Sequence, residues 1–531
     1  MTAVKRRTVL QGLGVGLTLA APALVRAASQ TTLRFVPQSD LVSLDPIFTP
    51  AYVTRNHGFM VFDTLYGVDA SLQPTSQMVA GHAGDPSGLV WELTLRDGLL
   101  WHDGEKVLAR DCVASIKRWA KRDSFGAALM AKTAELTAPN DKVIRFRLTE
   151  PFPMLPTALA KAPSTPMCAM MPERLANTDP FTEIPEVIGS GPFRFLADER
   201  IPGARNAYAK FEKYVPRADG VTTWTSGPKI VHYDRVVWNT LPDVASATSA
   251  IQTGEQDWLA YVSPDVIELM KQSPGVRVAR LDPSGMINYL QINHLQPPFN
   301  NVAIRRALFG AINQADFMEA IVGDDPNLYY IPLGYFTPKT PMASSAGLDA
   351  FTAPRDADKA KAAIKAAGYS GERVVLMVPT DNPPLLALGE VAVDLLKRVG
   401  FNVEYAAMDY GTMMGRRNVQ SPVDKGGWSA FVNGGGALDW LNPAVNTAIR
   451  GNGLSGYPGW PTSPRLEELR AAWFRATSIA DQRAICTDIQ QQCFLDVPCF
   501  PLGTYFQSVA YRNSLTGILD GFPLFWNVHP A

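Results

Sequence analysis

An α/β protein of more than one domain is predicted by three features of this chain. Residues 357–405 alternate helical and strand patterns, which implies parallel strands with both faces covered. Residues 89–119 join a period-two strand to a helix through two Asp-Gly turns. Without the leader at residues 1–27, roughly 500 residues remain, enough for several domains of about 100 to 200 residues each. With 46% hydrophobic and 19% charged residues the composition is that of a soluble globular protein. A formal charge of −1 weighs against nucleic acid or an anionic membrane as the main partner.

The leader reads as a signal peptide. Lys5-Arg6-Arg7 precedes a Gly/Ala-rich apolar run to Ala23, and Val25-Arg26-Ala27 offers a small-residue cleavage site. The run is too short and too weakly apolar for a lasting membrane anchor. Its paired arginines are similar to a twin-arginine signal, with an ordinary secretory signal as the alternative. No cysteine stands at the boundary, so no lipid anchor is expected. A soluble exported protein follows.

In chain order, Thr32 to Val36 reads as a strand and residues 37–50 as a loop holding Ser43-Leu44-Asp45-Pro46. Trp91, Leu93 and Leu95 alternate with Glu92, Thr94 and Arg96, the pattern of a half-buried strand. Asp97-Gly98 and Asp103-Gly104 supply turns, and Cys112, Ile116 and Trp119 then recur at helical spacing. The glycines of Ile188-Gly-Ser-Gly-Pro-Phe-Arg-Phe195 suit tight backbone turns better than a nucleotide loop. Ala247 to Leu259 reads as a helix and turn, and residues 288–293 as an alternating strand. One long helix is expected over 302–322, capped by Asn301, with Arg305, Arg306, Asn313 and Asp316 on its polar side. Helix 357–367, strand 373–378, helix 385–399 and strand 402–405 follow, the helices stopped by Gly368 and Gly400. Helices at 464–476 and 479–494 lead into Pro498-Cys-Phe-Pro-Leu502.

The run from Leu89 to Trp119, LVWELTLRDGLLWHDGEKVLARDCVASIKRW, resembles the LRDGLKFHDGxPxxAxDVxxS signature of the family 5 extracellular solute-binding proteins, the peptide, nickel and opine receptors of ABC importers. The Ser43–Pro46, Ile188–Phe195, Ala247–Leu259, Asn293–Asp316 and Pro498–Leu502 segments resemble further family blocks, so the likeness runs from about residue 31 to the end. It implies a two-lobed periplasmic-binding-protein fold with an extra small α+β domain and a ligand cleft between the lobes. The matching divisions are lobe one at 28–69, 186–286 and 500–531, the small domain at 70–185, and lobe two at 287–499. It also implies a monomeric periplasmic receptor that takes a small-molecule or short peptide-like ligand to ABC permease and ATPase subunits in the inner membrane. No cofactor and no catalysis are implied.

Ligand contacts are expected from aromatic walls and a few fixed polar groups. Asp45, Phe48 and Tyr52 belong to the first cleft loop, and Trp428, Phe431, Asn433, Asp439 and Trp440 to the segment Gly426–Asn446. Relatives carry an Asp for the ligand's ammonium group soon after the Trp. Phe431 stands at that place here, and Asp439 comes only after a Gly-rich extension. Asp439 either takes over the ammonium anchor or caps the next turn. The loop Val378–Pro383 lacks the Arg that holds the carboxylate in dipeptide receptors; Arg416 or Arg417 is the replacement, or both are solvated helix charges. A receptor lacking both partners should not prefer a short zwitterion, because an unpaired buried charge is costly. Tyr505 and Phe506 complete the aromatic set, which favours an amphipathic or aromatic solute.

Nickel-chelate or haem carriage, and a periplasmic chaperone, are the alternatives on this scaffold. None of His57, His82, His102, His232, His294 and His529 is paired at metal-ligand spacing. Ser226-Gly-Pro-Lys229 fits S-x-x-K, but its Gly and Pro oppose the helix that would aim the Lys at the Ser. The five cysteines read as buried small hydrophobes, with one bridge possible.

Overall fold

The computed structural model describes residues 31–161 and 164–531. The expected leader lies outside the described residues. Two large mixed sheets and a smaller antiparallel one organise the chain. The first is seven-stranded, in the order Val276–Ala279, Ser508–Arg512, Trp258–Val262, Thr32–Val36, Arg235–Asn239, Arg205–Lys210 and Phe193–Phe195. Thr32–Val36 is its centre, parallel to both neighbours. On it Phe35 packs edge-on against Trp258 and Phe525, with ring centres 5.3 and 5.0 Å away.

The second sheet is six-stranded: Tyr329–Tyr330, Cys499–Tyr505, Met286–Ile292, Ala430–Gly436, Arg373–Pro379 and Asn402–Met408. Arg373–Pro379 pairs in parallel with both neighbours and is buried on both faces beyond its first residue. The alternating segment therefore folds as expected. Met286–Ile292 is antiparallel to both of its neighbours, a pairing that the helix-strand alternation elsewhere did not reveal.

The backbone leaves the first sheet after Ala279, enters the second at Met286, and returns between Tyr505 and Ser508. The return was expected at residue 500. It comes later because Cys499–Tyr505 pairs with Met286–Gln291 from end to end, with one register shift at Leu502. The expected helix over 302–322 is two helices, Val302–Leu308 and Gln314–Val322. Asn301 caps the first through the Ala303 N–H, and Asn313 caps the second through Ala315. Arg305 is buried and donates to the Phe299 and Asp496 carbonyls.

The small sheet, Val79–Gly84, Val90–Leu95, Val143–Leu148 and Thr133–Thr137, is covered by helix Ala109–Ala120. Cys112, Ile116 and Trp119 form the fully buried stripe of that helix. The LRDG…WHDG…D…S run is thereby explained as a scaffold. The Asp111 carboxylate accepts the Leu108 N–H at 2.9 Å, the Trp101 indole N–H at 3.3 Å and the Glu173 N–H at 2.9 Å. The His102 Nδ1 accepts from Gly189, and its Nε2–H donates to the Gly191 carbonyl at 3.0 Å. All five cysteines are buried free thiols.

Candidate ligand-binding site

The first cleft loop is held rigid from beneath. Asp45 accepts two hydrogen bonds from the Arg118 guanidinium, at 3.1 and 2.7 Å, and further ones from the Ile47, Phe48 and Ile184 N–H groups. Both side chains of the ion pair are 1% exposed. Asp45 thus shapes the loop and leaves no edge for a ligand. The same loop feeds helix Tyr52–Val61, whose first residue projects toward the second lobe.

Between the lobes lies a cavity of about 520 Å³. Pro50 and Tyr52 line it from the first lobe, Arg122, Ser124 and Lys161 from the small domain, and Tyr289, Arg417, Asn433, Asp439, Trp440 and Tyr457 from the second. Such composite walls are what a cleft that closes around a small molecule provides.

Its acidic end is Asp439, in the short turn Ala437–Trp440 that follows Ala430–Gly436. The glycines Gly434 to Gly436 continue the strand, pairing with Met286–Asn288. The Tyr52 hydroxyl donates to Asp439 Oδ2 at 2.6 Å and accepts from the Gly436 N–H. Burial raises the Asp439 carboxyl above the ordinary carboxylate range, opposed in part by the Tyr52 hydrogen bond and the charges of Lys161 and Arg55. The Tyr52 phenol is pushed well up, by burial first and by Asp439 second, so it stays a donor. Asp439 does not cap the next turn; Asn442 does, accepting from Ala444 and Val445.

The basic end is Arg417. Its Nη1 donates to the Tyr457 hydroxyl at 2.9 Å, its guanidinium lies 5.3 Å from that ring's centre, and its buried Nε–H has no partner among the described residues. Tyr457 and Tyr289 share a hydroxyl hydrogen bond of 2.8 Å, and Asn433 Nδ2 donates to both. The Tyr289 and Trp440 rings, 5.4 Å apart, give this wall an aromatic face. From the small domain comes the buried ion pair of Lys161 with Asp123, whose carboxylate also caps helix Ser124–Ala131.

Of the residues singled out in the sequence, Tyr52, Asn433, Asp439 and Trp440 meet at this cavity. Trp428 and Phe431 do not: both are fully buried in the second lobe, their rings 5.0 Å apart in an edge contact. Phe431 and Asn433 share one face of the strand, and place along it separates them: Phe431 packs with Met413 and Trp460 inside the lobe, while Asn433, two residues on, reaches the cavity. Arg416 is spent on the Gly426 and Gly427 carbonyls at 3.1 and 2.9 Å, so Arg417 is the helix's contribution to the cavity. Phe48 stays at the rim, its carbonyl accepting from Arg122. Tyr505 belongs to a separate 230 Å³ cavity beside the return crossing, with Tyr261 and Gln507. Tyr289, Tyr457 and Lys161 were not anticipated. Tyr289 carried a signal as an inward position of an alternating strand; Tyr457 and Lys161, in irregular segments, carried none.

No group of three or more His, Cys, Asp or Glu that could hold a metal ion occurs among the described residues. Ser226 donates to the Val221 carbonyl, and Lys229 forms a buried ion pair with Asp63 at 2.7 Å, so the S-x-x-K pair is engaged elsewhere.

The model of one protein family, described as bacterial extracellular solute-binding proteins, family 5 Middle, matches residues 74–454. The chain is 34% identical over 542 residues, covering 100% of both chains, to the probable peptide ABC transporter periplasmic-binding protein y4tO of Sinorhizobium fredii. Among solved structures, it is similar to AgaA of A. tumefaciens R10 in complex with agropinic acid, with a TM-score of 0.78 at 18% identity over 94% of this chain and 99% of that one. It is likewise similar to DppA of Helicobacter pylori in complex with the peptide STSA, with a TM-score of 0.75 at 19% identity over 94% and 98% of the two chains.

Proposed function

Because this chain belongs to the bacterial extracellular solute-binding proteins of family 5, we propose that it is the periplasmic receptor of an ABC importer and captures a peptide-like, amphipathic solute by lobe closure. The observation that carries the reading is the interlobe cavity with a carboxylate at Asp439, a guanidinium at Arg417 and the Tyr289–Trp440 aromatic pair between the lobes' polar groups. Asp439 receives the ligand's ammonium group. Arg417, with an unpartnered Nε–H, receives its carboxylate. Closure excludes water and strengthens each of these contacts. With Asp439 and Arg417 in these roles neither charge of a zwitterion is buried unpaired, so a zwitterion is an acceptable ligand.

Delivery to membrane permease and ATPase subunits follows from the family and from the likeness to y4tO, a probable peptide ABC transporter periplasmic-binding protein. The protein acts as an exported, soluble monomer without a cofactor, and binding is its whole chemistry: no bond of the solute is made or broken. Calorimetric titration with alanyl-phenylalanine and its N-acetylated and C-amidated forms tests the ligand class. Binding of the free zwitterion, weakened about tenfold or more by either block, is expected. Equal affinity for all three, or binding of none, overturns it.

A further inference from the structure

Tyr52 stands on the first lobe, and everything its hydroxyl touches stands on the second. It donates to Asp439 Oδ2 at 2.6 Å and accepts from the Gly436 N–H. The Gly-rich stretch of the strand is shaped for it. A Cβ at Gly435 would lie 3.1 Å from the Tyr52 oxygen, and one at Gly436 3.2 Å from it. Gly436 has φ −59° and ψ 137°, which any residue adopts, so backbone conformation does not require glycine there. Room for the hydroxyl does.

We propose that Tyr52 is a latch between the lobes that completes the Asp439 subsite only on closure and so determines the cleft's selectivity for a cationic head. In the closed protein the Tyr52 hydroxyl on Oδ2, with the Thr165 backbone N–H as a second donor, fixes the carboxylate's rotation and leaves its remaining lone pairs as acceptors for a ligand. In the open protein Asp439 keeps its charge but loses that orientation. A cation is therefore bound well only by the closed form, and its binding draws the equilibrium toward closure in proportion to that difference. The selectivity half of this inference rests on the ammonium reading above; the latch half rests on the two hydrogen bonds alone.

The test uses the full mature protein, dialysed free of small molecules, as wild type, Tyr52→Phe, Gly436→Ala and a control, Tyr505→Phe, in the separate cavity beside the return crossing. Tyr52→Phe deletes the hydroxyl, and Gly436→Ala displaces it while keeping the phenol. Small-angle scattering is expected to show a larger radius of gyration for both cleft variants than for wild type. Hydrogen exchange at the Gly436 amide is expected to quicken about tenfold or more in Tyr52→Phe. Tyr505→Phe should match wild type in both. An unchanged radius in both cleft variants overturns the latch, whatever the ligand. For selectivity, the affinity ratio of alanyl-phenylalanine to its N-acetylated form should fall about tenfold in Tyr52→Phe, and an unchanged ratio overturns that half. If wild type binds neither peptide, the ammonium reading fails while scattering still decides the latch.

Discussion

A carboxylate inside a cleft, as proposed for cation binding at Asp439, is a compromise between burial and charge. Asp439 is held above the ordinary carboxylate range by desolvation, and the Tyr52 hydrogen bond, the charges of Lys161 and Arg55 and the Thr165 backbone N–H work against this. An ammonium ligand needs the ionised form. Affinity for it should accordingly be full at neutral pH and be lost as pH falls through a window higher than the usual carboxylate near pH 4. Titrating binding between pH 4 and 7.5 checks this; a profile flat down to pH 4 contradicts it. Asp439→Asn should weaken a free-amine ligand about tenfold to a hundredfold and remove that pH dependence. Asp45 illustrates the opposite case, a carboxylate wholly satisfied inside the protein. Asp45→Ala strands the Arg118 guanidinium, which is 1% exposed, and should destabilise the fold by about 3–5 kcal/mol in urea unfolding. Both acids are near landmarks that the sequence displays. Only contacts distinguish them, because Arg118 reaches Asp45 across 73 positions and Tyr52 reaches Asp439 across 387.

At the scale of elements, the signature run and the Ile188–Phe195 segment form one joint. His102 grips the Gly189 and Gly191 backbone, and Gly189 lies so close to the preceding helix that a Cβ would sit 1.9 Å from the Val61 carbonyl oxygen. Gly189→Ala should therefore cost about 3 kcal/mol, read as a lowered urea midpoint. Three buried imidazoles, His102 in this joint, His57 in the helix Tyr52–Val61 and His294 in the second lobe, also carry pH dependence. Burial lowers His102 to about 4, and His57 and His294 to about 3. Near pH 6.5 and below, the unfolded chain takes up protons that these native imidazoles refuse, so their contribution to stability is complete above that value. It is lost as pH falls toward 4. Urea midpoints measured at pH 7.5 and 5.0 should fall in that order, and equal midpoints would contradict the assignment. Most of these elements were legible in the sequence because they rest on local codes: period-two alternation in Val90–Leu95, Asp-Gly turns, Asn caps and Gly stops. The break of the helix at residues 309–313 was not. Apolar spacing continues across it, and Asn313 acts as a cap only because the chain bends there.

For the whole molecule, two crossings join the large lobes, while the small domain reaches the second lobe through Ser124, whose hydroxyl donates to the Ala444 carbonyl, and through Phe125 packed near Trp473. A ligand held by both lobes binds the closed form alone, and at a hundred times its Kd it should stabilise the fold by about 2.7 kcal/mol. Thermal unfolding with and without alanyl-phenylalanine measures this, with scattering to record the accompanying compaction. What the sequence alone determined is the scaffold: its family, its α/β character and most of its helix and strand positions. These follow from short-range patterns and from a long signature whose Asp-Gly turns and helix cap have fixed local geometry, while its His102 and Asp111 also tie down segments far along the chain. Only the tertiary structure decided which side chain of each region reaches the cavity: Arg417 and not Arg416, Asn433 and not Phe431, Asp439 opposite Tyr52. One residue's step around a helix, or two residues' step along the same face of a strand, moves a side chain from core to cavity, and where that boundary falls is set by segments distant in the sequence.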